Sequence, residues 1–252
     1  MTIVLLTALG VGGATVIGAL LGFIIKDPSQ KFNDIVLSFA AGVMLSAAVI
    51  GLIIPSVETG GKLAILIAVI GILAGAVVLN LIDKLVPHLH KFTGIGEETH
   101  PSATAKLNKV LLFVIAIAIH NFPEGIAAGV SFGSDNVTHA ITVAGGIALQ
   151  NIPEGMVIIA PMLASGMSKK KTFVIALLTG VVEVIGTLIG YFAVSLSTVI
   201  LPFSLAFAGG TMLYVISDEM IPETHSHGNE RLATYSLLLG FCLMLAFDFL
   251  LG

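Results

Sequence analysis

Apolar residues run along this 252-residue chain in long blocks, broken by short polar stretches. Eight blocks stand out, at roughly 3–25, 35–54, 63–82, 110–130, 140–164, 172–194, 201–221 and 232–251. A helix crosses the hydrocarbon core of a bilayer in about 20 residues, so the pattern predicts an all-α polytopic membrane protein with eight transmembrane helices, spans 1 to 8. The connections are short except for one, 83–109, which holds His88, His90, Glu97, Glu98 and His100. The expected organisation is a single transmembrane domain over 1–252, with 83–109 as the loop between spans 3 and 4. The first block lacks a basic flank and continues to about Ile25, so it reads as a retained span rather than a cleaved signal peptide.

Composition supports this class. The chain is 56% hydrophobic and 10% charged, with a mean hydropathy of +1.07, whereas soluble domains carry about 25% charged residues. The single cysteine, Cys242, rules out an intrachain disulfide framework. No nucleic-acid partner is expected. The net charge of −4 matters less than where the basic residues lie. Connections 1–2, 3–4, 5–6 and 7–8 hold Lys26, Lys31, Lys84, Lys91, Lys106, Lys109, Lys169, Lys170, Lys171 and Arg231, against Lys62 alone on the other side. Positive residues mark the cytoplasmic side. Both termini are therefore expected outside and the 83–109 loop in the cytosol.

Two polar hexapeptides interrupt the fourth and fifth blocks. His120-Asn121-Phe122-Pro123-Glu124-Gly125 is followed by Gln150-Asn151-Ile152-Pro153-Glu154-Gly155, thirty positions on. Their spans run in opposite directions on the expected topology. Spans 2 and 7 do likewise, and Phe39-Ala40-Ala41-Gly42-Val43-Met44-Leu45 in the one resembles Phe207-Ala208-Gly209-Gly210-Thr211-Met212-Leu213 in the other. Paired segments of opposite direction point to inverted repeats, spans 1–3 against 6–8 and span 4 against 5, with a site near the midplane.

Helical spacing places His120 with Glu124, and Gln150 with Glu154, each pair on one face, and sets Asn121 and Asn151 beside them. Pro123 and Pro153 remove an amide each and deprive the carbonyls of Ile119 and Leu149 of their usual partners. Near the same depth lie Glu183 in span 6 and Met44 in span 2; Asp218 and Glu219 lie toward the cytoplasmic end of span 7. One charged carboxylate at the bilayer centre costs about 2.5–3.5 kcal/mol. Five of them, Glu124, Glu154, Glu183, Asp218 and Glu219, meet no Lys or Arg within the eight blocks. The balancing charge must be a proton, His120 or a bound cation. Carboxylates, imidazole and amide oxygens suit a divalent zinc, iron, manganese or cadmium ion.

The two hexapeptides, Glu183 and Ser217-Asp218-Glu219-Met220-Ile221-Pro222-Glu223 resemble the ZIP (Zrt/Irt-like) divalent metal-ion transporters, most closely their bacterial GufA-like branch. The resemblance implies uptake of a divalent metal as substrate, through a two-metal site, by an integral protein of the bacterial inner membrane. Met44, His120, Glu124, Gln150 and Glu154 would surround one ion. Asn121, Asn151 and Glu183, with Glu124 and Glu154 bridging, would surround the other. Spans 1, 4, 5 and 6 would form a moving bundle and spans 2, 3, 7 and 8 a frame. Gln150 stands where many family members have His, Asn151 where some have Asp, and Asp218-Glu219 where His-Glu occurs. A homodimer is a further expectation, with Gly18-x-x-x-Gly22 and Gly71-x-x-x-Gly75 as close helix contacts within the chain or at a dimer seam. His88, His90, His100, His225 and His227 are further cytosolic metal candidates, Glu58 and Asp248 candidate cation attractors at the outer entrance, and Asn136-Val137-Thr138 fits a glycosylation acceptor. Two other functions use the same side chains: an intramembrane metal-dependent hydrolase and a proton-coupled carrier of a small solute. His-Glu-x-x-His is absent, and no Ser or Cys is paired with a base in sequence.

Overall fold

The computed structural model describes residues 1–25, 28–85, 118–134 and 136–251. Every regular element among them is helical. Seven helices are long and apolar enough to cross a membrane: α1 Thr2–Ile24, α2 Gln30–Thr59, α3 Gly61–Ile82, α5 Val137–Ala164, α6 Lys169–Leu196, α7 Thr198–Thr224 and α8 Glu230–Leu251. A further helical stretch, α4, covers residues 118–131 and carries the first hexapeptide. The start of that block, and the connection with His88, His90 and His100, lie outside the described residues.

The helices extend beyond the apolar blocks because their first turns are capped. Ser29 accepts a hydrogen bond from the Phe32 amide at 3.2 Å, so α2 starts at Gln30 and takes in Lys31. Ser168 does the same for Lys171 at 3.4 Å, which draws Lys169, Lys170 and Lys171 into the first turn of α6. Asn136, the candidate glycosylation site, caps α5 by accepting from the His139 amide at 3.0 Å.

The likeness between spans 2 and 7 extends from sequence to backbone. After its Phe-Ala-x-Gly-x-Met-Leu segment each helix widens into a π segment, Ala47–Ile53 in α2 and Ile216–Met220 in α7. A proline follows two residues later, Pro55 and Pro222 respectively. Proline lacks an amide proton and clashes with the preceding turn, and a wider turn accommodates both defects. Pro153, by contrast, sits within a continuous α-helical stretch, Val137–Val157.

Glycines bring helix backbones together along specific seams. Gly18 abuts the carbonyl of Ile152, and Gly155 that of Thr15, where α1 packs on α5; Gly12 and Gly180 face each other's carbonyls where α1 packs on α6. Gly125 and Gly186 join α4 to α6 in the same manner, against Glu183 and Phe122. In a second set, Gly42 and Gly240 join α2 to α8, and Gly75 and Gly210 join α3 to α7. At each of these positions a Cβ would lie closer than 3.0 Å to a backbone oxygen. Between the two sets the contacts change character: Gly51 of α2 meets only the side chain of Val143 in α5, and Gly146 of α5 meets the side chains of Met244 in α8 and Ala47 in α2. Both Gly-x-x-x-Gly motifs are used inside the chain, Gly18 and Gly22 against α5 and Gly71 and Gly75 against α7, so neither supplies a dimer seam.

Adding one methyl group tests these seams. Gly18→Ala or Gly42→Ala must push two helix backbones apart, and each is expected to destabilise the fold by about 1–3 kcal/mol, as overpacking does. Gly10 and Gly13 meet nothing within 4 Å. Gly10→Ala is therefore expected to be neutral, or to stabilise by up to about 1 kcal/mol through helix propensity. Thermal unfolding of the purified protein in detergent reads both.

Candidate metal centre

Each hexapeptide ends in Glu-Gly, and the structure shows what the glycine does. Gly125 lets α4 settle against the Glu183 carbonyl in α6, and Gly155 lets α5 settle against the Thr15 carbonyl in α1. The two residues so approached are themselves bonded: the Thr15 hydroxyl donates to Glu183 Oε2 at 2.9 Å. Asn151 completes the link, with its amide nitrogen on Glu183 Oε1 and also donating to the Val11 carbonyl at 3.2 Å. Glu183 is fully buried, and both of its carboxylate oxygens are engaged.

Glu124 differs. It is 1% exposed, lies within electrostatic reach of Glu154 and Glu183, and sits beside Gln150, which is fully buried. Neither oxygen of Glu124, and neither polar atom of the Gln150 amide, takes part in an aligned hydrogen bond among the described residues; the side-chain oxygen of Asn151 shares this condition. Leaving one buried polar group unsatisfied costs about 1–3 kcal/mol, and the four oxygens among these atoms, from three neighbouring residues, form a cradle for something positively charged.

The remaining predicted residues fall around this cradle. His120 places Nε2 2.9 Å from Glu219 Oε1, so the imidazole faces span 7 rather than its helical neighbour Glu124. Glu154 is half-buried and within electrostatic reach of both His120 and Glu219. Met44 and Asn121 are buried. Asp218 and Glu219 occupy the π segment of α7, where Asp218 is half-buried and makes no hydrogen bond or ion pair among the described residues. The structure thus brings Glu124, Glu154, Glu183, Gln150, Asn151, His120 and Glu219 into one connected neighbourhood. Among the described residues no three His, Cys, Asp or Glu side chains converge tightly enough to hold a metal ion between them, because Glu183 is turned to Thr15 and Asn151, and His120 to Glu219.

Sequence reasoning missed Thr15 and the packing role of Gly125 and Gly155. Thr15 is a hydroxyl within an apolar block and signals nothing by charge. Its only sequence cue is that it is a polar residue in the middle of span 1.

The fold and this neighbourhood define a class: a polytopic helical membrane protein with a buried, carboxylate-rich and amide-rich site between its helices. The sequence model of the ZIP Zinc transporter family matches residues 96–248. The chain is 43% identical to zinc transporter GufA of Myxococcus xanthus over 98% of both chains. It is 40% identical to zinc transporter ZupT of Chlorobaculum parvum over 92% of this chain and 91% of that one, and 36% identical to zinc transporter ZIPB of Bordetella bronchiseptica over 95% of this chain and 78% of that one. The chain belongs to the ZIP family of integral membrane transporters.

Thr15→Val keeps the side-chain shape and removes the hydroxyl that donates to the Glu183 carboxylate. It is expected to lower stability by about 1–3 kcal/mol by leaving a buried acceptor unpaired, while Thr15→Ser restores it. Unfolding midpoints of the three proteins, compared at one detergent composition, check this.

Proposed function

We propose that this protein carries divalent transition-metal ions, zinc foremost and also iron, manganese or cadmium, across the bacterial inner membrane into the cytoplasm. The observation that carries the reading is the pair Glu124 and Gln150: buried side by side, with no aligned hydrogen-bond partner among the described residues beyond each other. A cation held there is bound by the three oxygens of the pair and offsets the desolvation of the carboxylate. The relatives' names, all zinc transporters, favour transport over the hydrolase and over the small-solute carrier.

On this reading Glu124 and Glu154 bridge two ions. Met44, His120 and Gln150 complete one shell; Asn121, Asn151 and Glu183 complete the other. Thr15 holds Glu183 in place from outside it. Glu219 holds His120 by its ring nitrogen, and with Asp218 it receives the ion on its way to the cytosol. The amide ligands and Met44 keep the shell from becoming so anionic that the ion cannot leave.

The arrangement is eight spans in inverted repeats, with termini outside and the 83–109 loop inside. The matched π segments and prolines of α2 and α7 support the repeat. The glycine seams support alternating access by two bodies. Backbones are locked together within α1, α4, α5 and α6 and again in the pairs α2–α8 and α3–α7, whereas the nearest atoms to Gly51 and Gly146 across the divide belong to side chains. Side-chain contacts repack more readily than backbone seams, so the divide is where motion occurs.

Zinc uptake into proteoliposomes tests the function directly. Wild-type protein is expected to carry zinc, and Glu124→Ala and Glu154→Ala are each expected to reduce uptake at least a hundredfold with the fold intact; uptake at the wild-type rate in either variant would sink the site. Gln150→His exchanges an amide for imidazole, a better zinc ligand. Competition binding is expected to show a shift in preference from manganese toward zinc, and an unchanged ratio would mean that Gln150 does not touch the ion.

A further inference from the structure

A second polar cluster lies away from the transport site, where the start of α2 meets the turn between α7 and α8. Asp34, in the second turn of α2, is 1% exposed. Gly228, at φ +79°, bends the turn so that His227 and Asn229 both reach it. His227 Nδ1 lies 3.1 Å from Asp34 Oδ1, the terminal amide nitrogen of Gln30 lies 3.0 Å from that same oxygen, and it lies 3.1 Å from that same His227 nitrogen. Three polar atoms from three side chains form a nearly equilateral triangle.

At most two edges of such a triangle can be hydrogen bonds at once. If Nδ1 carries the proton it donates to Asp34, and the Gln30 amide then presents a donor to a donor. If Nδ1 is bare, it faces the Asp34 carboxylate as acceptor to acceptor. Rotating the Gln30 amide by half a turn puts its oxygen in the same place, and then oxygen faces oxygen instead. In each arrangement one edge sets like against like. With the amide oxygen turned inward, all three atoms are metal donors, and their separations suit a shared ion. Ligand atoms about 2.1 Å from a zinc-type ion are separated by roughly 3.0 Å in octahedral and roughly 3.4 Å in tetrahedral geometry.

Other polar groups surround the ring. His227 Nε2 lies 3.9 Å from Glu223 Oε1, beyond hydrogen-bond distance, so that carboxylate adds negative charge beside the ring. Asn229 donates to Asp34 Oδ2 at 2.8 Å and holds the carboxylate with Oδ1 pointing into the triangle. Its second contact, 3.5 Å to the His227 carbonyl, ties the turn to itself. The Ser226 hydroxyl lies 3.4 Å and 3.3 Å from the two ring nitrogens of His227. His225, the other candidate in this turn, is differently placed: Nδ1 lies 2.9 Å from the Ile221 carbonyl, Nε2 lies 3.1 Å from the Thr234 hydroxyl, and the ring is taken up in joining α7 to α8.

We propose that Gln30, Asp34 and His227 form a transition-metal site of their own, distinct from the transport site, which clamps the start of α2 to the α7–α8 turn. Zinc, cobalt or nickel fits a donor set of one carboxylate, one imidazole and one amide oxygen, with water in the remaining positions. The site depends on the transport reading only for the compartment it samples, the cytosol, where the ion delivered by the transport site would fill it. All three residues lie on helices of the glycine-seamed α2–α8 set or on the turn leading into it, so a bound ion stiffens one body and leaves the divide untouched.

The test is zinc equilibrium dialysis on the full-length protein in detergent, in a background carrying Glu124→Ala and Glu154→Ala so that the transport carboxylates do not contribute. Adding His227→Ala, or separately Asp34→Asn, is expected to remove one equivalent of bound zinc or to weaken it at least tenfold. Either change should also abolish a zinc-dependent rise in the unfolding midpoint seen in the parent. Midpoints measured without zinc show whether each variant is folded; should Asp34→Asn fail, the half-exposed His227 decides. Equal zinc stoichiometry and affinity with and without His227 would overturn the proposal and leave a hydrogen-bonded clasp. The transport site is judged separately, by the zinc lost between wild type and the background, so either reading can fail without the other.

Discussion

A carboxylate in the interior of a membrane protein must be given a partner, and this molecule is arranged around that requirement. Burying one charge among helices costs several kcal/mol unless a donor, a proton or a cation compensates. Glu183 meets the requirement within the protein, through Thr15 and Asn151. Glu219 meets it through His120. Glu124 has no such partner among the described residues: only the Gln150 amide lies beside it, and neither side chain makes an aligned hydrogen bond elsewhere. Partners supplied from the chain position the site, while the group left without one is where we propose that the substrate ion binds.

Glycine makes this possible. A polar side chain can reach across to the next helix only if the backbones are close, and in a bilayer close approach rather than hydrophobic exclusion holds helices together. Gly125 and Gly155 immediately follow the two key glutamates, and each presses its helix against the backbone of a residue in the Thr15–Glu183 bond. The same residues therefore govern packing and chemistry. A substitution at either glycine would displace a carboxylate as well as loosen a seam.

Much of this was legible in the sequence, and the rest was hidden for identifiable reasons. The apolar blocks and the two hexapeptides announce themselves because charge inside a membrane-length run is rare. The matched segments of spans 2 and 7 were visible too, and their prolines, Pro55 and Pro222, were the available cue to the π segments that follow the match into the backbone. What local pattern does not encode is which helix faces which. His120 shares a helical face with Glu124 by spacing, yet its ring meets Glu219, ninety-nine positions away, because α4 packs against α7 there. Thr15 was invisible because a hydroxyl in an apolar run carries no charge signal. The Gly-x-x-x-Gly motifs were recognised as close contacts, but only the three-dimensional arrangement shows them buried against α5 and α7.

The central claim is that the side-chain oxygens of Glu124 and Gln150 are the cradle of the transported ion. Anomalous diffraction at the zinc edge, from crystals of the protein soaked in zinc, tests it most directly. The account predicts a peak within about 2.0–2.4 Å of a Glu124 oxygen, shared with Glu154 and lost in Glu124→Ala. Zinc bound elsewhere in the protein with no peak at Glu124 would contradict it.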